Sequence, residues 1–352
     1  MSKFVTIGKS KQFYDFLKNE IISGEYKPGD KFPSIRELAS KYSISNITVN
    51  SVISNLVTEG LLYVVQGRGT FIADKKQDPR KKKKMIGVMF FDFSLESNVE
   101  AGMFNSIQEN LKDNFYVIPY NSYNKLELFY KGIKGFTELE TDGMILVPPT
   151  SEDYDPLVVK SLLTPDTPVI FINRTIPGVK ADFFAMDFEL AAYNAAKYLL
   201  NKNKRDIILL KSDSTSLTQK YTDGYARAYK EAGLEYDEEF FIEWHKGLDK
   251  AEADLKAILK KADGLIGSDT IIYRLRKVIY GSGKKIPKDL SIIGINDTVY
   301  SRFMNPPLTA VPFPSGKIGE EAVKALMDRL ENGRTEDITR IISTDLVIRE
   351  SC

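Results

Sequence analysis

One cysteine, one histidine and one tryptophan occur in 352 residues. A single cysteine, Cys352, leaves no intramolecular disulfide, which fits a reducing compartment. A single histidine and a single cysteine exclude most His-based triads, Cys–His nucleophiles and Cys/His metal sites, so no metal is expected. No apolar run approaches the roughly 20 residues of a membrane span. The opening stretch MSKFVTIGKSKQFYDF has neither the apolar core nor the cleavage site of a secretory signal. A cytoplasmic protein with no membrane partner is the expectation. Carboxylates abound, but none stands at a spacing that argues for catalysis. Gly67-x-Gly69 lacks the remaining glycine and the strand-to-helix setting of a dinucleotide fingerprint. No enzyme and no cofactor are expected.

What is present is charge asymmetry. The net charge is +1, yet residues 1–84 hold sixteen Lys/Arg against eight Asp/Glu, a balance of +8 that leaves −7 for the rest. A basic head on an acidic body suits contact with a polyanion, although the run Lys81–Lys84 supplies half of that excess and also reads as a solvated linker.

Residues 9–23 carry apolar positions at Phe13, Phe16, Leu17 and Ile21, the spacing of a helix. A turn at Lys27-Pro28-Gly29-Asp30 follows. Ser34 and Glu37 stand at the capping-box spacing ahead of a second, short helix. A third helix begins near Ser45, with Val49, Val52, Ile53, Leu56 and Val57 on one side and Gly60 at its end. Two β-rich segments, 61–65 and 70–73, flank Gln66-Gly67-Arg68-Gly69 and read as a hairpin. Three helices and a hairpin are the parts of a winged helix-turn-helix. In such a motif the third helix enters the major groove N-terminus first. Ser45, Asn46, Thr48, Asn50 and Ser54 lie off its apolar face. Asn46 and Asn50 are one turn apart, and asparagine pairs bidentately with an adenine edge. Small hydroxyls bond phosphates, though Ser45 is equally placed to cap its helix. Arg68, between two glycines, can reach a groove or a phosphate.

The stretches 28–39 (PGDKFPSIRELA), 45–49 (SNITV), 59–62 (EGLL) and 66–72 (QGRGTFI) together resemble the gluconate-repressor (GntR) family closely. The resemblance implies that Ser34, Arg36, residues 45–50 and the wing tip Gln66, Gly67, Arg68 and Gly69 contact double-stranded operator DNA. Members of that family often carry arginine where this chain has Asn46 and Asn50, so an A/T-richer half-site is expected here.

Residues 75–84 contain no apolar side chain after Ala73 and form the linker candidate, dividing a head at 1–74 from a body at 85–352. In the body, short apolar runs near residues 86, 115, 143, 168, 207, 264 and 291 alternate with helical patterns, the mark of parallel sheets in an α/β fold. Ile86–Val88, Thr141–Leu146, Pro168–Arg174, Asp223–Tyr225, Ile286–Gly294, Asn296-Asp297, Pro306–Val311 and Leu346–Ser351 resemble, in this order, the effector domain of lactose/ribose repressors, which is related to periplasmic sugar-binding proteins. A GntR-type head on such a body resembles the arabinose-repressor subfamily. The resemblance implies two lobes, one of about 85–203 and 304–330 and another of about 204–303 and 338–352, with a ligand between strand ends. A sugar needs planar polar groups and an aromatic face. The candidates are Phe91, Asp92, Arg174, Asp187, Gln219, Tyr221, Trp244, Asp269 and Asn296. Repressors of this type often have arginine at the position of Gln219, and its absence makes a carboxylate ligand less suited. Trp244 fits a stacking face or the core. The expected partners are operator DNA, a monosaccharide such as L-arabinose or L-fucose, and a second copy in a homodimer. A nucleoside or sugar phosphate as ligand, and activation in place of repression, stay open at this point.

Overall fold

The computed structural model describes residues 9–65, 67–73, 83–92, 98–150, 154–164, 166–211 and 215–352, the side chains of residues 9, 98, 215–218 and 245 excepted. The described chain divides between Lys83 and Lys84 into two compact units. Most of the expected linker, and Gln66 of the wing tip, lie outside the described residues.

The first unit runs α1 (Lys9–Ile22), α2 (Ile35–Tyr42), α3 (Asn46–Thr58), β1 (Leu62–Val65) and β2 (Gly69–Ile72). Its core is most of the set read from periodicity: Phe13, Leu17 and Ile21 of α1 meet Leu38 of α2, Val49, Val52, Ile53 and Leu56 of α3, and Leu62 and Ile72 of the hairpin; Phe16, read onto the same face, is exposed and Val57 only partly buried. Each helix of the motif starts on a built cap. The Glu37 amide donates to Ser34 Oγ at 3.3 Å, and the Ser34 amide donates to Glu37 Oε2 at 2.7 Å, a complete capping box. The Thr48 amide donates to Ser45 Oγ at 3.2 Å. Strands β1 and β2 pair antiparallel, and the loop before α2 adds a third rail: the Phe32 amide donates to the Thr70 carbonyl at 2.8 Å.

The second unit continues with β3 (Lys84–Phe90), α4 (Asn98–Asn110), β4 (Phe115–Asn121), α5 (Leu126–Glu138), β5 (Gly143–Leu146), α6 (Pro156–Leu162), β6 (Val169–Ile172), β7 (Asp182–Met186), α7 (Phe188–Asn201), β8 (Ile207–Lys211) and α8 (Thr215–Glu231). Then come β9 (Phe241–Glu243), α9 (Leu248–Ile258), β10 (Gly264–Ser268), α10 (Asp269–Arg274), α11 (Arg276–Gly281), β11 (Ser291–Asn296), α12 (Val299–Phe303), β12 (Thr309–Pro312), α13 (Ser315–Asn332) and β13 (Thr339–Ile342). Two sheets result, of order β13-β7-β6-β5-β3-β4 and β12-β11-β10-β8-β9. Every pairing in both is parallel. Burial on both faces is why strands such as Gly143–Leu146 and Val169–Ile172 are continuously apolar rather than alternating.

The lobe limits differ from those expected. Helix α7 packs on α8 and against β10–β12, so the second lobe begins near residue 188 rather than 204. Strand β12 pairs with β11 in the second sheet, although 304–330 was expected in the first lobe. Strand β13 pairs with β7 in the first sheet, although 338–352 was expected in the second. Only the last segment returns, through the Val347–Ala310 bridge. Amphipathic pattern marks which face of an element is buried, but it does not say which of two sheets covers that face. Gly224 belongs to the α7–α8 contact: a Cβ there would lie 2.0 Å from the Glu189 carbonyl oxygen.

Candidate functional site

In the first unit, the start of α3, the N-terminal turn of α2 and the hairpin tip carry the expected contacts. Arg36, Ser45, Asn46, Asn50, Gly67, Arg68 and Gly69 are exposed, and Thr48 is partly so. Ser34 and Ser45 spend an oxygen on their caps, and Thr48 Oγ1 lies 2.9 Å from Ser45 Oγ. Gly67 and Gly69 both have positive φ, 74° and 117°, which is what lets the chain turn tightly around Arg68. One residue that the motif reading passed over is Lys31. Its side chain lies against Gly69, Cε standing 3.1 Å from where a Cβ would be. It lines, with Ser34, Arg36 and Thr70, a groove of about 870 Å³. Its signals in the sequence are a positive charge directly after the turn at Asp30 and its place in the stretch 28–39.

In the second unit, a cavity of about 210 Å³ lies beyond the carboxyl ends of the strands of both sheets, where open α/β sheets bind ligands. Phe91 follows β3, Val147 follows β5, and Asn173 and Arg174 follow β6. Leu210 is the last residue but one of β8, Ser268 ends β10, Asn296 ends β11, and Phe313 follows β12. Five of the nine expected residues, Phe91, Arg174, Tyr221, Trp244 and Asn296, line this space together. The Arg174 guanidinium stands 5.0 Å from the centre of the Phe91 ring. Phe188 packs at 5.6 Å from Tyr221 and 6.4 Å from Phe313. Burial pushes the Tyr221 phenol well above its ordinary range, so it stays protonated.

The other four do not line it. Asp187 caps α7, accepting from the Leu190 amide at 2.9 Å. Asp269 is fully buried; it accepts from the Thr298 amide at 2.5 Å and from Ser301 Oγ at 2.7 Å, and so holds the turn that follows Asn296. Gln219 is exposed and donates to Asp223 at 2.7 Å. Asp92 is partly buried, and its charge is felt by the carboxyl of Glu100 on the cavity wall.

Glu100 is the residue that sequence reading missed most plainly. Burial, helped by the charge of Asp92 and opposed by Arg174, pushes its carboxyl up to about 7. Asn173 was missed too: its side-chain oxygen is buried without a hydrogen-bond partner, and its φ is 63°. Asn296 and Asp297 also have positive φ, 99° and 52°. Arg349 clamps Asp297 with two bonds of 2.7 and 2.8 Å, so the returning C-terminal segment fixes the turn that carries Asn296. A wider groove of about 690 Å³ lies at the amino ends of β6 and β7, the wrong ends for a ligand of this fold, and its Arg329 and Arg334 are bound to Asp182. Among the described residues, no cluster of three His, Cys, Asp or Glu side chains could hold a metal, and no helix is long and apolar enough to cross a membrane.

Residues 9–72 match the model of bacterial regulatory proteins of the gntR family, and residues 196–352 match that of the periplasmic binding protein-like domain. The chain is 24% identical to the arabinose metabolism transcriptional repressor of Halalkalibacterium halodurans, covering 95% of this chain and 94% of that one. It is also 24% identical to the protein of the same name from Geobacillus stearothermophilus, covering 98% of each. Among solved structures, the transcriptional regulator CelR–cellobiose complex aligns with a TM-score of 0.67 at 18% identity, over 91% of this chain and all of that one. A LacI-family regulator from Enterococcus faecium with bound ribose aligns at 0.64 and 22%, over 76% and 98%. With such a head and body, and with full-length relatives that are transcriptional repressors, the protein is a DNA-binding transcription regulator. The chain thus joins a GntR-type DNA-binding domain at residues 9–72 to a periplasmic-binding-protein-like domain at residues 196–352.

Proposed function

We propose that this regulator represses its target genes from the cytoplasm by docking on double-stranded operator DNA, and that a small neutral sugar in the cleft releases it. The observation that carries the reading is the lining of the 210 Å³ cavity. Its aromatic faces, Phe91, Trp244 and Phe188, suit the C–H surface of a sugar ring. Asn173, Arg174, Tyr221, Ser268, Thr270 and Asn296 offer donors and acceptors for hydroxyls. The volume falls below the roughly 300–1,000 Å³ of pockets for drug-sized ligands, as a monosaccharide requires. Two full-length relatives are arabinose metabolism repressors, which supports L-arabinose first; L-fucose, another neutral monosaccharide, is the second candidate.

On the DNA side, the start of α3 lies in the major groove, with Arg36, Lys31 and Arg68 on the flanking phosphates. A homodimer presents two such heads to a palindromic site. Phe303, 74% exposed, stands one turn from Tyr300, which stacks on Tyr273 at 4.4 Å, a surface suited to a second copy.

A thermal-shift screen of monosaccharides, with adenosine included, tests the ligand. One sugar at a hundred-fold excess over its Kd adds about 2.7 kcal/mol of stability, and Arg174→Ala removes that gain. The same sugar then lowers operator affinity in a titration, while light scattering gives twice the chain's mass. A sugar that binds yet leaves operator affinity unchanged overturns the mechanism, because a ligand shifts an equilibrium only through differential affinity.

A further inference from the structure

Helix α3 contains no charged residue from Asn46 to Thr58. Its core face is Val49, Val52, Ile53 and Leu56. At about 100° per residue, the centre of the opposite face falls on residue 47, flanked by residues 50, 51 and 54. The flanking residues are polar: Asn50, Ser51 and Ser54. The central one is Ile47, which is 84% exposed, the most exposed of the large hydrophobic side chains among the described residues. An isoleucine at the middle of a solvent face is not explained by the fold, since the helix buries its apolar stripe without it. Ser45 caps the helix directly before it, so the side chain is held on a formed first turn.

In the major groove, an A·T pair presents two things side by side: the N6/N7 edge of adenine and the C5 methyl of thymine. The amides of Asn46 and Asn50 match the first, and an exposed branched aliphatic matches the second. A helix with neither arginine nor lysine has no strong reader of guanine. We propose that Ile47 is a specificity-determining residue that reads thymine, its side chain packing on the C5 methyl group in the major groove. This rests on the operator-binding reading above and names the base that the helix centre selects.

The test separates the two. The full chain selects duplexes from a random library. In the selected duplex, each thymine of a half-site is replaced in turn by deoxyuridine, which removes only the methyl group, and Kd is measured for the wild type and for Ile47→Ala. Alanine is the best helix former, so the variant keeps α3. One deoxyuridine position weakens the wild type about four-fold, the roughly 0.8 kcal/mol of one buried methyl-sized group at about 1.4 kcal/mol per factor of ten. Ile47→Ala is indifferent to deoxyuridine at that position and no longer prefers thymine there. If no thymine responds, or if Ile47→Ala responds as the wild type does, the assignment to Ile47 is wrong while operator binding stands. If no duplex is selected at all, the operator reading falls and takes this one with it.

Discussion

The two candidate sites of this chain are built by opposite means. The DNA-facing surface comes from one contiguous stretch, residues 31–70, in which each helix of the motif begins on a satisfied cap and the exposed side chains play no part in the core. The cleft is gathered from strand ends between Phe91 and Phe313. It keeps a half-buried carboxyl at about 7, a buried amide oxygen with no partner, and, at Asn173 and Asn296, two residues in left-handed backbone. Such features cost stability and cluster where a ligand completes them. The head presents its candidate contacts at no cost to its fold, whereas the cleft holds its candidate contacts against the fold. Substitutions should therefore have opposite signs in the two places, and a scaffold residue of the body should resemble neither.

The largest effect falls on that scaffold. Asp182 in β7 is fully buried. Arg329 binds it through Nε and Nη2 at 2.8 Å each, Arg334 binds it at 2.7 and 3.1 Å, and the Ile338 amide donates at 2.8 Å. Burial alone would raise its carboxyl, but these bonds outweigh it and hold the group at about 2. Asp182→Ala takes the shared buried carboxylate from two arginines, which keep only the half-exposed Asp337 and Asp328, and should cost about 3 kcal/mol, the low end for breaking a buried pair, read as the denaturant midpoint of the body. The pH sign follows from the lowered value: the contribution is present above the ordinary 3.8 and is lost as pH falls toward 2. A loss under about 1 kcal/mol would mean that the network is ornamental and that the body tolerates disruption as a surface does.

The cleft should respond the other way. Unfolded, Glu100 releases its proton near the ordinary 4.5; folded, near 7. Between those values the folded state holds more protons, so stability falls as pH rises from 4.5 to 7 and is level above. At about 1.36 kcal/mol per unit, the full penalty is about 3 kcal/mol. Glu100→Gln should remove it, stabilising the protein at pH 8 and leaving it little changed at pH 4.5. Midpoints for both proteins at the two pH values give the answer. A destabilised variant at pH 8 would mean that Glu100 is a structural carboxylate and that the cleft does not hold it against the fold.

This division also explains what the sequence made legible. The head was read almost whole, because helix period, caps and turn glycines are local signals and its surface is local too. The Ser34–Glu37 box and the Ser45 cap appear where the spacing puts them. In the body, the strands that are continuously apolar were legible. Asp182–Met186, Phe241–Glu243, Thr309–Pro312 and Thr339–Ile342 were not, being short or led by a polar residue. The cleft was half legible, since a residue after a strand is placed by that strand. Whether it faces the space is decided by partners far away in the chain. Asp269 turns inward because Thr298 and Ser301 wait there, and Glu100 lines the wall because α4 starts beside β3's end. Gly224 served only as a family mark until the α7–α8 crossing gave it a reason.

The smallest effect sharpens the head side of the comparison. Ser45 has a known structural duty, accepting from the Thr48 amide at 3.2 Å, and a proposed functional one at the DNA surface. Ser45→Ala removes the cap and should cost about 1 kcal/mol, with weaker operator binding as the first turn of α3 frays. Ser45→Asn keeps a capping oxygen and should restore the stability, because asparagine ranks with serine at this position. Operator affinity of the asparagine variant then separates the duties. If affinity returns with stability, the head's contact surface begins at Asn46 and Ser45 only orders it. If stability returns and affinity does not, the hydroxyl touches DNA as well. The head would then ask one residue to serve fold and ligand together.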